Sequence, residues 1–117
     1  MKALNNSKLN DAVWVQFSDA TSNGTPVYAI NTTSALLVNL ATDAGAASLS
    51  GWGWQNGAYW LNQVTTVMFS PSGPHTVRIQ VREDGVQFDQ LVLSPQTYGS
   101  TAPGSVSNDS TIIPKPT

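Results

Sequence analysis

The sequence predicts an all-β fold, a two-sheet sandwich of the jelly-roll kind built around one core. The chain has 117 residues, which suits a single domain. Only 10% of the residues are charged, while Ser, Thr, Asn, Gly and Pro are abundant, as expected for strands joined by turns. Roughly six to eight short runs have strand-like patterns, and no longer stretch has helical periodicity.

The first strand is predicted where five consecutive side chains alternate in character: Val13, Val15 and Phe17 against Trp14 and Gln16. The run Thr21–Pro26 interrupts this pattern with turn-forming residues. Val27–Ile30 is therefore predicted to return along the first strand as the second half of a hairpin.

Four further runs predict strands: Ser34–Leu40, Val64–Phe69, His75–Arg82 and Val86–Leu93. The pair Asp84-Gly85 separates the last two and is a typical two-residue hairpin turn. Ala41–Ser50 consists of small residues and is predicted to be a loop. We assign residues 1–97 to the domain and the Ser-, Thr- and Pro-rich residues 98–117 to a tail or linker.

Charge and composition argue against several classes of partner. The net charge is −2, and five basic residues are spread along the chain without forming a patch, so nucleic acid is not an expected partner. No apolar run approaches the roughly 20 residues of a membrane span, and residues 1–10 lack the apolar centre of a signal peptide. Cysteine is absent, which excludes disulfides and thiolate metal sites.

The most distinctive segment is Gly51–Trp60, which contains three of the four tryptophans beside glycines and amides. Aromatic rings stack on the flat C–H faces of sugars, and amides hydrogen-bond sugar hydroxyls. The alternative is that these rings fill the core of the sandwich. The predicted ligand-binding residues are Trp52, Trp54, Asn56, Tyr59, Trp60 and Gln87.

Two adjoining segments, His75–Gly85 and Val86–Ser94, resemble the closing hairpin of the galactose-binding-like β-sandwiches. They look most like carbohydrate-binding modules of the family 6, family 35 and malectin-like group. Asn10–Phe17 is similar to an internal strand of these modules, and Gly51–Gln55 follows in the expected order. The resemblance implies a jelly roll outside the cell or on a bacterial cell surface, with Gln87 at a position where similar modules place a sugar-contacting amide.

The chain departs from this group at its amino end, because the modules carry opening strands before the one that begins here at Ala12. It resembles an N-terminally truncated jelly roll, and uncovered strand edges predict a homo-oligomer. The opening strands would also supply ligands for a structural calcium ion. Asp89 alone would not hold that ion, so we expect no cofactor. Asp89 lies among apolar residues in the sequence, which favours a structural role in which backbone amides or an arginine bind its carboxylate.

The sequence does not favour an enzyme. His75 is the single histidine, and of the acidic residues only Glu83 and Asp84 are close neighbours in sequence. The prediction is a non-catalytic module that binds a neutral oligo- or polysaccharide. Two alternatives remain: a structural or assembly sandwich that has lost its ligand site, and a small hydrolase.

Overall fold

The computed structural model describes residues 11–39, 53–94 and 98. Within these ranges the regular structure is entirely β, and there is no helix. The six strands are β1 (Ala12–Phe17), β2 (Ala20–Ser22), β3 (Thr25–Pro26), β4 (Leu36–Asn39), β5 (Met68–Phe69) and β6 (Val77–Val81). They form two three-stranded antiparallel sheets, ordered β4-β1-β6 and β3-β2-β5. This arrangement confirms the all-β prediction and is compatible with a β-sandwich.

The β4-β1-β6 sheet has the longer strands and is called the larger sheet. Its inner face is apolar because the apolar residues of its three strands lie opposite one another. Val15 of β1 lies opposite Leu36 of β4 and Ile79 of β6. Val13, Val15 and Phe17 are all buried. Successive side chains of a strand point to opposite faces, so the alternate residues Val13, Val15 and Phe17 all point to the same, buried face of the sheet. The predicted strands around residues 12–17, 34–40 and 75–82 are therefore confirmed, the last two with shorter bounds.

The two sheets share one hydrophobic core. Phe17 of β1 meets Phe69 of β5 edge to face, with ring centroids 5.6 Å apart. Ala20 of β2 and Tyr28 are buried in the same cluster. The exposed pair Ser18 and Asp19 separates β1 from β2, so the chain crosses directly from one sheet to the other.

The first hairpin differs from the prediction. Its turn is Asn23-Gly24, whose φ angles of 50° and 78° are left-handed, and it joins β2 to β3. A two-residue Asn-Gly loop of this kind matches the twist of antiparallel strands. Residues 27–30 do not return antiparallel to β1. They form instead a single parallel bridge, Phe17 with Ala29, where the Phe17 N–H donates to the Tyr28 carbonyl at 2.8 Å.

The predicted closing hairpin is formed only in its first half. Asp84 and Gly85 do make a turn, with Gly85 at φ 89°, but residues 86–94 contain only a single bridge residue, Gln87, and no strand. Phe88, Leu91 and Leu93 are exposed, and so is Asp89. Asp89 therefore does not lie on the buried side of a final strand, as period-two alternation predicted, and its structural role stays a prediction. The predicted strand at Val64–Phe69 is likewise reduced to β5.

None of the backbone described forms a long apolar helix of the kind that crosses a bilayer. The predicted tail, residues 98–117, lies outside the described ranges except for Tyr98.

Candidate functional site: a cleft on the outer face of the larger sheet

The outer face of the β4-β1-β6 sheet is mainly polar where β1 meets β6. Trp14 lies opposite Gln80, and the next pair on the same face is Gln16 opposite Arg78. Cβ atoms of directly opposed residues are about 4.5–5.5 Å apart, and diagonal neighbours about 7–8 Å, within reach of long side chains. The antiparallel register thus brings together an aromatic ring, two amides and a guanidinium on one surface.

An open cleft of about 310 Å³ lies over this surface. A volume of this size is at the lower end of the range for ligand sites. The loop between β3 and β4 contributes its rim through hydroxyl side chains. The described residues that line it are Trp14, Gln16, Thr32, Thr33, Ala35, Arg78 and Gln80.

Gln16 fixes that rim to the sheet. Its side chain is buried at 8% exposure, and its Nε2 lies within hydrogen-bonding distance of the carbonyl oxygens of Ala29, Thr32 and Ser34, at 3.1, 3.0 and 2.8 Å. Each is a contact from a buried polar side chain to backbone that would otherwise need water. Thr32 Oγ1 also donates to the Ala29 carbonyl at 2.7 Å. The rim is consequently held by the side chain that also lines the cleft floor.

Trp14 is half-buried: it packs against apolar neighbours and also lines the cleft. On the packed side it contacts a small buried cluster of Ala12, Leu37 and Ala58. The guanidinium carbon of Arg82 lies 6.0 Å from the centroid of the Trp14 ring, at the outer limit of a cation–π contact. The indole is therefore supported by neighbours while it also borders the cleft.

Arg78, in β6, and Arg82, directly after β6, have different surroundings. Arg82 Nε pairs with Glu83 Oε1, and Glu83 Oε2 accepts a hydrogen bond from the Ala12 N–H at 3.2 Å. Arg78 is exposed and lines the cleft, where it is the one charged side chain among the described lining residues. Arg82 is thus part of the scaffold, whereas Arg78 presents its charge to the cleft.

The predicted tryptophan segment lies beside this site rather than in its lining. The Gly57 carbonyl of this segment accepts from the Asn39 N–H of β4 at 3.1 Å. Just after the segment, Gln63 Oε1 accepts from the Leu37 N–H and Gln63 Nε2 donates to the Ala35 carbonyl, both at 2.9 Å. Tyr59 and Trp60, which directly follow the buried Ala58, are 46% and 36% exposed. Their rings meet edge to face with centroids 5.0 Å apart. These two predicted residues are brought together on the surface.

The other predicted residues have separate surroundings. Trp54 is half-buried, and its indole N–H is buried without an acceptor among the described residues, which favours a packing role. Asn56 is exposed, and Trp52 lies outside the described residues. Gln87 is exposed and comes after β6, whereas the tryptophan segment adjoins β4 at the other edge of the sheet. That Gln87 and the tryptophan segment contact one ligand stays a prediction.

A second polar cluster joins Ser18, Asp19 and His75. Asp19 Oδ2 accepts from Ser18 Oγ at 2.7 Å and lies 3.2 Å from His75 Nδ1. The hydrogen bond from Ser18, followed by the contact with His75, holds the pKa of Asp19 below its usual value. In a catalytic triad the serine bonds to the histidine, but here it bonds to the carboxylate, and it also accepts from the Thr76 N–H. This order suits a structural tie between the β1–β2 link and the start of β6.

In the part of the chain that the structure describes, no three His, Asp or Glu side chains gather into a group that could hold a metal ion. Comparison with protein-family models, with curated proteins and with solved structures gave no match to this chain. The candidate function therefore has to be inferred from the side chains themselves.

The sequence prediction did not include the polar and aromatic residues that line the cleft, which are Trp14, Gln16, Thr32, Thr33, Arg78 and Gln80. A signal was present, since Trp14 and Gln16 occupy the polar side of β1, and Arg78 and Gln80 occupy the polar side of β6. What the alternation could not provide was the pairing of these two strands, which are far apart in sequence.

Proposed function

We propose that this protein is a non-catalytic carbohydrate-binding module whose ligand lies in the cleft over Trp14. The observation that carries the proposal is that the indole of Trp14, which packs against neighbouring residues, lines the open cleft together with Gln80, Thr32 and Thr33. The ring offers a stacking surface for a neutral sugar unit, and amides and hydroxyls can both donate to and accept from sugar hydroxyls.

The energetics favour a modest affinity. Sugar hydroxyls are well hydrated before binding, and an open cleft removes only part of the ligand from water. Preorganisation works in the opposite direction, because Gln16 already holds the rim that carries Thr32 and Thr33. A jelly-roll topology and a location outside the cell or on its surface belong to the same proposal, and both derive from the resemblance of the sequence.

Tyr59 and Trp60 extend the proposal along the surface. They follow Ala58, which packs with Trp14, so this exposed aromatic pair adjoins the packed side of the same indole. A polysaccharide has repeating units, and a second platform next to the cleft would contact a neighbouring unit. On this proposal Trp14 contributes most of the binding, and the pair adds affinity only for longer chains.

The second candidate function is assembly, and one observation favours it. Phe88, Leu91 and Leu93 are 44%, 47% and 54% exposed within one short stretch. Clustered apolar exposure of this kind often marks a surface that contacts another protein. A homo-oligomer would cover it, and none of these three residues lines the cleft.

The proposal is tested by affinity electrophoresis through gels containing soluble polysaccharides of different backbone chemistry, with Trp14→Ala and Trp60→Ala as a matched pair. The wild-type protein should be retarded by at least one polysaccharide, and Trp60→Ala should retain binding to short oligosaccharides. Trp14→Ala should remove it. Because Trp14 also packs against Leu37, Gln80→Ala provides a variant that alters the cleft at an exposed position.

Two results would contradict the proposal. If no polysaccharide retards the wild-type chain, the function is wrong. If Trp60→Ala loses binding to short oligosaccharides while Trp14→Ala and Gln80→Ala keep it, the ligand lies on the tryptophan segment and the assigned cleft is wrong.

A further inference from the structure

We infer that the glycan bound in the cleft carries an anionic group, which is recognised by Arg78. This inference rests on the proposed function, since it specifies the chemistry of the ligand at the same site. Trp14 and the amides require only sugar hydroxyls and C–H faces, whereas a guanidinium in the lining is matched by a negative charge. Arg78 lies directly opposite Gln16 and is a diagonal neighbour of Trp14.

The guanidinium of Arg78 has no partner among residues 11–39, 53–94 and 98. Across the described ranges no carboxylate lies within ion-pair distance of it, and no hydrogen bond engages it. Arg82 shows the contrast, because it pairs with Glu83 and lies over the Trp14 ring. The cleft lining contains no Asp or Glu that could neutralise Arg78 from across the site.

The geometry of an arginine narrows the class of ligand. Its planar donors match the two oxygens of a carboxylate, or those of a sulfate, in a paired arrangement that a sugar hydroxyl cannot reproduce. Gln80 and the Thr32–Thr33 rim remain for the hydroxyls of the same unit or the next one. A glycan with an acidic group satisfies all these side chains. One sugar unit lies on Trp14, and the acidic group lies beside Arg78, in the next residue pair on the same face of the sheet.

The net charge of −2 does not oppose this recognition strongly. At physiological ionic strength the screening length is about 8 Å, so charges elsewhere on the surface have little effect inside the cleft. The attraction is local, and it should weaken with salt because the site is open to solvent.

The experiment measures affinity for matched pairs of polymers that differ only in charge. Polygalacturonate is compared with its carboxyl-reduced form, and a sulfated galactan is compared with its desulfated form, so the two sources of negative charge are separated. We expect at least one acidic polymer to bind about tenfold more tightly than its neutral partner. In Arg78→Gln the ratio should fall to about one, while in Gln80→Ala both affinities should fall and the ratio should persist.

Four other outcomes would contradict either the role of Arg78 or the proposed function. Equal binding of the charged and neutral forms by the wild type overturns the role of Arg78 and leaves carbohydrate binding intact. A charge preference that survives in Arg78→Gln overturns it as well. Poly-glutamate binding as tightly as the acidic glycan would show that charge alone is recognised, which defeats the inference. Absence of binding to every glycan, charged or neutral, refutes the proposed function itself.

Discussion

Trp14 of β1 and Gln80 of β6 are directly opposed in the antiparallel ladder, on the outer face of the sheet. This pairing places an amide beside an indole that neighbouring residues already support. Both side chains line the cleft, and neither belongs to the tryptophan-rich segment that dominates the sequence. The relationship makes the amide of Gln80 the simplest probe of the site.

Gln80→Ala should weaken glycan binding about threefold to tenfold, which corresponds to the loss of one ordinary hydrogen bond of about 0.5–1.5 kcal/mol. The thermal midpoint should hardly change, because the side chain is exposed. Gln87→Ala is the matched control, since it removes the same amide from another exposed position. Calorimetric titration of both variants checks the assignment. Weakening by Gln87→Ala alone would place the contact outside the cleft.

Gln16→Leu should affect both stability and binding. The substitution nearly preserves side-chain volume but removes the donor shared by the carbonyls of Ala29, Thr32 and Ser34. Leaving such groups unmatched should lower the free energy of unfolding by about 1–3 kcal/mol. Glycan affinity should fall too, because the Thr32–Thr33 rim loses its anchor. Urea unfolding combined with a binding titration tests this, and an unchanged midpoint would contradict the anchoring role.

Tyr28→Phe should reduce stability by about 1 kcal/mol at neutral pH, because the buried hydroxyl donates to the Val64 carbonyl at 2.7 Å. Burial raises the pKa of Tyr28 above its usual 10.0. The neutral form is thus favoured by folding, and its contribution is present below pH 10.0 and lost as the pH rises through the folded-state pKa. The stability difference between wild type and Tyr28→Phe should therefore shrink in strongly alkaline solution. A difference that grows with pH would contradict this assignment.

Self-association is expected from the apolar side chains exposed after β6. Light scattering on a sizing column should give at least twice the mass of one chain, because pairing removes Phe88, Leu91 and Leu93 from water. Leu93→Ser should shift the equilibrium towards the monomer, and Met68→Ser, which alters an exposed apolar residue of β5, should not. A wild-type monomer at high protein concentration would refute the prediction.

Local patterns in the sequence predicted the strands that pair with each other in the larger sheet, but they overpredicted strand at residues 64–67 and 86–93. β1 and β6 alternate and also pair with each other, so alternation correctly indicates their buried rows. Val86–Leu93 alternates equally well, yet in the described structure only Gln87 makes a bridge there and no strand is formed. The first hairpin was misplaced because the left-handed pair Asn23-Gly24 makes a tighter turn than the whole polar run suggested.

The candidate site was less predictable than the fold for a related reason. The sequence predicted most of the ligand-binding residues within residues 51–60, because tryptophans beside glycines make the composition of this segment unusual. The cleft instead combines ordinary residues of two strands with the loop before β4, and only the long-range register of β1 with β6 brings Gln80 to Trp14. Such register depends on the packing of the whole sheet and is not encoded in either strand alone.

The central claim, that a glycan binds over Trp14, is tested most directly by nuclear magnetic resonance during a titration with an oligosaccharide. The four tryptophan indole N–H signals are assigned by single substitutions, and the side-chain amide signal of Gln80 is followed with them. The account predicts that the Trp14 indole and the Gln80 amide shift together and saturate at one ligand concentration, while the Trp54 indole stays in place. Shifts confined to the indoles of the tryptophan-rich segment, with Trp14 and Gln80 unaffected at saturation, would contradict it.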